Sequence, residues 1–315
     1  MIGFAASTSV SMGHGLNKPE SLRSRLSPET NIRFNEPLAR KTTLRVGGPA
    51  DIYVEPASTA DLATIVKWCH EESVPHFVLG RGSNLLVKDH GYHGVVVCLI
   101  HQHFSQINVA GEHLSCGTGA KLKAAANEAK RYELTGLEFL EGIPGTIGGG
   151  LRMNAGAMGT EIFQIVESVR LMDLKGCVSE RTPRELDIQY RSCPTLKTHL
   201  ALGAVLRGEP SSRELIQQRM DEFSRKRWNS QPAAASAGCI FKNPITIAAG
   251  KLIDELGLKG TRVGGAYVSA EHGNFIVNDG TATAHDVLEL IEKIRERARL
   301  ERGIDLQTEV EIIGD

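Results

Sequence analysis

The stretch Gly142-Ile-Pro-Gly-Thr-Ile-Gly-Gly-Gly150, followed by Met153-Asn-Ala-Gly156, restricts what this chain can fold into more than any other segment. Six glycines in these fifteen positions bare the backbone, while Pro144 stiffens the turn. Glycine costs chain entropy, and a plain turn needs few of them. Unshielded N–H groups in such a loop suit a concave anion site, so the stretch reads as a ligand cradle. Two smaller clusters share the character. Gly80-Arg-Gly-Ser-Asn84 follows a strand pattern at 77–79, where α/β folds place phosphate-binding loops. Gly117-Thr-Gly119 precedes a helical pattern from Lys121. Neither is the dinucleotide fingerprint, because Leu85 and Leu122 stand where the third glycine belongs; alone, each reads as a turn.

At 315 residues the chain suggests two or three domains, by the usual roughly 100–200 residues per domain, and a core needing no disulfide or metal staple. Its 36 basic and 37 acidic residues leave a net charge of −1, so no global field attracts nucleic acid or a membrane surface. No apolar run approaches the roughly 18 residues that span a bilayer. The six cysteines, Cys69, Cys98, Cys116, Cys177, Cys193 and Cys239, include no CxxC pair. That argues against a zinc ribbon or a secreted disulfide framework and for thiols in a reducing cytoplasm. The pairs His90/His93 and His101/His103 lack carboxylate or cysteine company, and no metal is expected. Residues 1–28, rich in Ser and Gly with few acids, read as a disordered leader, with a transit-like peptide as the compositional alternative.

Strand, helix and strand alternate through the first two-thirds: strands at 51–55, 77–79, 94–100 and 114–117, helices at 58–72 and 121–132. Ser58 with Asp61 begins the first helix as a capping-box-like pair. A hairpin follows at 166–174 and 177–181, then a strand at 202–207. Gly208-Glu-Pro-Ser-Ser212 marks the expected domain boundary, before a charged amphipathic helix at 213–228. A second α/β pattern closes the chain, with helices at 251–256 and 285–302, strands near Tyr267 and at 275–277, and a final strand at 307–313. Walker, HExxH and GxSxG motifs are missing, which removes the main support for kinase, zinc-protease and serine-hydrolase readings.

Seven motifs in one order carry a resemblance. They are Thr43-Leu-Arg-Val-Gly-Gly-Pro-Ala-Asp51, Gly80-Arg-Gly-Ser-Asn-Leu-Leu-Val87, the 142–156 loop, Tyr190-Arg-Ser192, Ser236-Ala-Gly-Cys-Ile-Phe-Lys-Asn-Pro244, Gly264-Gly-Ala-Tyr-Val-Ser269 and Leu306-Gln-Thr-Glu-Val310. Over residues 31–314 the chain resembles the UDP-N-acetylenolpyruvoylglucosamine reductase family, flavoenzymes that make UDP-N-acetylmuramate. The spacing after Tyr190 leaves no room for an extra substrate-capping loop, as in the family's shorter, second-type branch. The resemblance implies an α+β fold: an FAD-binding domain of the vanillyl-alcohol-oxidase (PCMH) type plus a C-terminal α/β substrate-binding domain. The implied layout is a leader at 1–30, an FAD-binding half of two α+β subdomains at 31–208, a substrate domain at 209–306 and a terminal strand at 307–315. It further implies noncovalent FAD, NADPH as hydride donor, a UDP-sugar substrate, and a place in peptidoglycan synthesis and hence in cell shape and division. Oligomeric state is left open, a monomer being admissible.

Carried over by motif, the cofactor contacts fall on Gly47, Gly48, Gly80, Arg81, Gly82, Ser83, Asn84, Leu85, Gly117, Gly119, Pro144, Gly145, Thr146, Gly148, Gly149, Asn154, Ala155 and Gly156. Substrate contacts fall on Tyr190, Lys242, Asn243, Gly264, Gly265 and Ala266, with Lys251 and Lys259 as further cations. The implied chemistry delivers hydride to the terminal carbon of the enolpyruvyl ether, and negative charge spreads into its carboxylate. A protein must hold that carboxylate, stabilise the charge and return a proton. Arg191 matches the family's active-site arginine; its bland alternative is a surface ion pair. Glu309 matches the catalytic glutamate, and the alternative is an outward charge on a strand. Cys239 stands where the family commonly has serine. A thiol of pKa about 8.5 gives up a proton more readily than a hydroxyl, although a buried bystander is the bland reading. An FAD-dependent oxidase of a small alcohol or sugar, or a nucleotide-binding module without catalysis, are the competing functions.

Overall fold

Short β-branched and apolar runs bounded by Gly, Pro and Ser become strands here. Asn31–Pro37, Pro49–Glu55, Tyr92–Cys98 and His76–Leu79 form one sheet in that order, the first contact antiparallel and the other two parallel. Parallel neighbours need a crossover, and the helix Thr59–Glu71 provides it. Ser58 caps that helix by accepting the Asp61 N–H, as its sequence predicts, and the helix buries Leu62, Ile65, Val66 and Cys69. The structure, a computed structural model, describes residues 18–315.

A second, antiparallel sheet runs Val178–Arg181, Val166–Met172, Leu200–Arg207, His113–Gly117, Ile107–Ala110. The Leu122–Arg131 and Ile147–Arg152 helices share its core, which contains Leu114, Leu122, Leu151, Val169 and Leu206. A third unit pairs Ala235–Cys239, Phe275–Asn278, Ala266–Val268 and Arg262–Val263, with the helices Ala249–Glu255 and Ala284–Arg302. The mixed α+β fold class is as expected. Among the described residues no helix is long and apolar enough to cross a membrane.

Three expected boundaries move. The leader expected at 1–30 falls partly outside the described residues, but the part from Lys18 onward packs onto the first unit. Lys18–Arg23 is helical, Leu22 is fully buried beside the Thr59–Glu71 helix, and Trp68 Nε1 donates to Ser21 Oγ at 3.1 Å. One buried leucine in a polar context leaves no periodic signal. The boundary expected at 208 also shifts. Glu209–Pro210 pairs with Leu134–Thr135, and the helix Arg213–Trp228 sinks Ile216 and Met220 into the second sheet's core. The turn at 208–212 is real, but the helix packs backwards, so the C-terminal unit starts beyond Trp228. Finally, the strand expected over 307–313 is confined to Glu311–Ile313. It pairs in parallel with Leu85–Val87, so the chain end returns to the first unit directly after the Gly80 loop.

Candidate active site

A cleft of about 300 Å³ opens where the three units meet. Its walls come from residues 80–85, 142–146, 149–150, Tyr190 and Arg191, residues 237–239, Asn274 and Glu309. A second cavity of about 130 Å³ continues from it past Thr146, Gly149 and Arg152, between the first two sheets.

The Gly80 loop has the features of an anion cradle. The amide N–H groups of residues 80–84 donate to no described residue, and Gly82 takes the left-handed conformation at φ 60°. Successive free N–H groups around such a turn form a concavity suited to phosphate oxygens. Ser83 Oγ donates to the Pro144 carbonyl at 2.5 Å, tying this loop to the 142–156 loop. At Gly145 and Gly149 a Cβ would meet only ordinary contacts at 3.5–3.6 Å, so the protein itself does not require glycine there. Both face the cleft, so their bare backbone leaves room for a group to lie against it.

Other glycines have a different cause. A Cβ at Gly47, Gly48, Gly117 or Gly119 would strike backbone oxygens at 2.5, 2.2, 2.2 and 1.8 Å, so these glycines are needed for protein-to-protein packing. Gly47, Gly48 and Gly117 line neither cavity, while Gly119 and Gly148 line only the smaller one. Asn154 is likewise absent from the cleft wall. It is 1% exposed, at φ 40°, and its Nδ2 donates to Glu161 Oε2 at 2.8 Å and the Gln189 carbonyl at 3.2 Å. The Ala155 N–H is spent on Gly150, and a Cβ on Gly156 would lie 3.0 Å from Arg191 Nη1. Gly156 lies against Arg191, and Ala155 and Gly156 border the cleft, whereas Asn154 does not.

Arg191, Cys239 and Glu309 arrive from three separate segments and meet on one wall. Arg191 sits at φ 55°, a conformation costing a non-glycine residue about 1–2 kcal/mol, so its surroundings must hold it. Its Nε lies 3.4 Å from Glu309 Oε1, its Nη1 lies 3.5 Å from Glu161 Oε1, and its Nη2 donates to the Gly156 carbonyl at 3.3 Å. Tyr190 covers the guanidinium face at 4.9 Å. A surface ion pair does not describe this residue, whose side chain is only 21% exposed.

Glu309 is not an outward strand charge. Its side chain is 17% exposed, its N–H donates to Ile240, and its carbonyl accepts from Asn84 Nδ2 at 3.1 Å. Burial raises its carboxyl above the usual range, against the pull of Arg191 and Lys242. Burial also pushes the Cys239 thiol up to about 12, with Glu309 adding to the rise and Arg191 and an Asn274 hydrogen bond opposing it. The thiol is thus far less acidic than the about 8.5 of a free cysteine. It remains protonated throughout the physiological range, and Arg191 is the cation placed to favour the thiolate once the proton leaves.

A family model described as the C-terminal domain of UDP-N-acetylenolpyruvoylglucosamine reductase matches residues 231–313, and an FAD binding domain model matches residues 50–180. The reductase of Clostridium novyi is 40% identical over 286 residues, covering 90% of this chain and 92% of that one. That of Clostridioides difficile is 40% identical over 287 residues, covering 90% and 94%. The chain belongs to the UDP-N-acetylenolpyruvoylglucosamine reductase family. The crystal structure of the reductase from Thermus caldophilus superposes with a TM-score of 0.78 at 38% identity, covering 91% of this chain and 99% of that one.

Several residues carried over as substrate contacts of a UDP-N-acetylenolpyruvoylglucosamine reductase are placed elsewhere. A Cβ on Gly264 would lie 2.5 Å from the Asp286 carboxyl group, Gly265 N–H faces Asp286 Oδ2 at 3.4 Å, and Ala266 is fully buried. These three fit the Arg262–Val263 hairpin against the start of the Ala284–Arg302 helix, outside the cleft. Lys251 and Lys259 pair with Glu255 and Asp254 on the helix surface. Asn243 borders the cleft, but its Oδ1 accepts from Ala249 N–H; Lys242 acts on Glu309 by its charge. Tyr190 stands in the cleft as expected. The histidine pairs are dispersed, with His93 on Asp51 and His103 on Thr59.

Four further residues of this site are not among the expected site residues. Asn274 is buried, holds both backbone groups of Phe241 and lowers the Cys239 thiol pKa against its burial; a polar residue opening the apolar run 275–277 was its one signal. Glu161 has no motif of its own. Arg152 and Glu311 form an ion pair in the cleft wall, with Arg152 Nε at 3.1 Å from Glu311 Oε2, across 159 residues of sequence.

Valine at Gly145 tests the cradle. Its extra methyls would project into the cleft, and overpacking of roughly 1–3 kcal/mol corresponds to about 5- to 150-fold weaker FAD binding. The flavin absorbance retained per mole of protein should fall accordingly, while the far-ultraviolet circular dichroism stays unchanged. Full flavin retention would remove Gly145 from the cradle.

Proposed function

We propose that this chain reduces the enolpyruvyl group of UDP-N-acetylglucosamine enolpyruvate to give UDP-N-acetylmuramate, in peptidoglycan precursor synthesis, with FAD as cofactor and NADPH as hydride donor. The observation that carries this reading is the convergence of a fixed guanidinium, a buried carboxyl and a protonated thiol on one wall of the cleft. The 80–85 loop with Pro144, Gly145, Thr146 and Gly149 would hold FAD noncovalently, and the bound flavin would supply the hydride chemistry that links NADPH to the substrate carbon–carbon double bond.

The chain's own residues manage charge and proton. Arg191 receives the substrate carboxylate, because a guanidinium donates bidentately and keeps its charge at every relevant pH. Tyr190, stacked on it, limits its swing. As hydride reaches the terminal carbon, negative charge grows on the adjacent carbon and its carboxylate. Burial raises the Glu309 carboxyl toward its protonated form, in which it donates a hydrogen bond to that charge, and Arg191 opposes it electrostatically. Cys239 Sγ then gives its proton to the adjacent carbon, and the thiolate regains one from solvent. Hydride plus proton completes the reduction. The cytoplasm as site of action, and a contribution to cell shape and division, accompany this reading.

Anaerobic mixing tests it directly. NADPH should bleach the bound flavin near 450 nm, and the enolpyruvyl UDP-sugar should restore the colour. Bleaching without restoration would reject the substrate while leaving a flavoprotein.

A further inference from the structure

The guanidinium of Arg191 is held on two sides, and the second side belongs to a residue outside the reaction as described. Glu161 sits opposite Gly156 in the small hairpin of Gly156–Ala157 and Thr160–Glu161. The turn closes with Met158 and Gly159 at φ 54° and 84°. This hairpin presents two acceptors to one guanidinium: the Gly156 carbonyl to Nη2 at 3.3 Å and Glu161 Oε1 to Nη1 at 3.5 Å. The missing Cβ of Gly156 makes room for the same group.

Glu161 is itself fixed. Its Oε2 accepts from Asn154 Nδ2 at 2.8 Å, and its carboxylate also caps the N–H of Gln164, whose side chain returns a bond to the Glu161 N–H at 3.3 Å. Asn154 in turn is buried in a left-handed conformation, and its Oδ1 has no partner among the described residues. A strained, buried amide with an unpaired oxygen is costly, and here its amide nitrogen holds the Glu161 carboxylate and the Gln189 carbonyl. The side chains thus run Asn154, Glu161, Arg191, Glu309 from the core to the cleft.

We infer that Glu161, clamped by Asn154, is the positioning residue that aims Arg191: it holds the Nη1 side so that the remaining N–H groups face Glu309 and the substrate carboxylate. Without it the guanidinium is free to turn toward Glu309 and pair with that carboxyl through two nitrogens. The inference rests on the substrate reading above, so its test begins with the unaltered holoenzyme. Failure of the enolpyruvyl UDP-sugar to reoxidise that enzyme's flavin would reject the substrate reading and not the aim of Arg191.

Glu161→Gln keeps the shape and removes the charge that pairs with Arg191. With FAD bound, reoxidation by the enolpyruvyl UDP-sugar should slow by about 10²-fold, the usual result of misplacing a catalytic group by an ångström. Reduction by NADPH should stay within about twofold of the parent, since Arg191 is placed for the substrate carboxylate. Binding of UDP-N-acetylmuramate to the oxidised holoenzyme, read by calorimetry, should weaken about tenfold, and Glu161→Asp should recover part of both losses. The decisive arm is a double-mutant cycle. In an Arg191→Lys background, Glu161→Gln should cost almost nothing further. An equal loss in both backgrounds, or an equal slowing of the NADPH step, would assign Glu161 a structural role and overturn the inference. Parent-like rates in Glu161→Gln would do the same.

Discussion

Replacing Cys239 with alanine is expected to slow transfer to the enolpyruvyl substrate by about 10²–10⁴-fold, the range a positioned acid contributes. Reduction of the flavin by NADPH should be spared, because no proton is returned to carbon in that half. The thiol borders the cleft within the field of Arg191 and Glu309, and burial keeps it protonated at about 12. Alanine removes one sulfur atom and leaves the pairing of Ala235–Cys239 with Phe275–Asn278 intact, so folding is not at stake. Serine at this position restores a donor and should recover much of the rate. Stopped-flow traces separate the two halves; an equal loss in both would sink the proton-donor role. With the thiol at about 12, ionisation of Cys239 should not limit the rate near neutrality, unlike an ordinary cysteine of about 8.5.

Glu309 carries the second large effect, and its sign follows from burial. The carboxyl is raised above its ordinary range chiefly by desolvation, with Arg191 and Lys242 pulling it back. The competent form is the protonated one, which can donate to the developing charge. Activity should therefore be full on the acid side and fall as pH rises through the raised value. A bound substrate carboxylate adds a like charge and moves that fall further up. Glu309→Ala should cost about 10²–10³-fold, or roughly 2.7–4 kcal/mol, as for removal of an oxyanion donor. Glu309→Gln keeps a neutral donor, so it should lose less than alanine and its rate should no longer fall with pH. If glutamine were as damaging as alanine and the basic fall persisted, Glu309 would act as an anion and its role as a donor would be lost.

Legibility of the fold tracked how local each signal is. The Ser58 cap, the helix Arg213–Trp228 and the hairpin of Val166–Met172 with Val178–Arg181 were readable because caps, helical periods and turns involve neighbouring residues. The direction in which the Arg213–Trp228 helix packs was not readable. Ile216 and Met220 would fit a core on either side, and only the fold placed them with the second sheet. At the site, motifs delivered Arg191, Cys239, Glu309 and the Gly80 loop to one cleft. At Gly264 and Gly265, which the motifs carried over as substrate contacts, the side chain is excluded by Asp286 and the residues at 281–282, outside the cleft. A glycine in a motif does not say which neighbour forbids its side chain.

By itself, then, the sequence determined the element types, the glycine-bared loops and the family, since these depend on residue order along short stretches. Tertiary structure decided which glycines face the cleft and which face protein, where the C-terminal unit begins, and what surrounds each reactive group. The physical reason is distance along the chain. Asn84 meets Glu309 across 225 residues, and Arg152 meets Glu311 across 159. Desolvation of Cys239 and the aim of Arg191 are sums over such contacts, and they exist only once the chain has closed on itself.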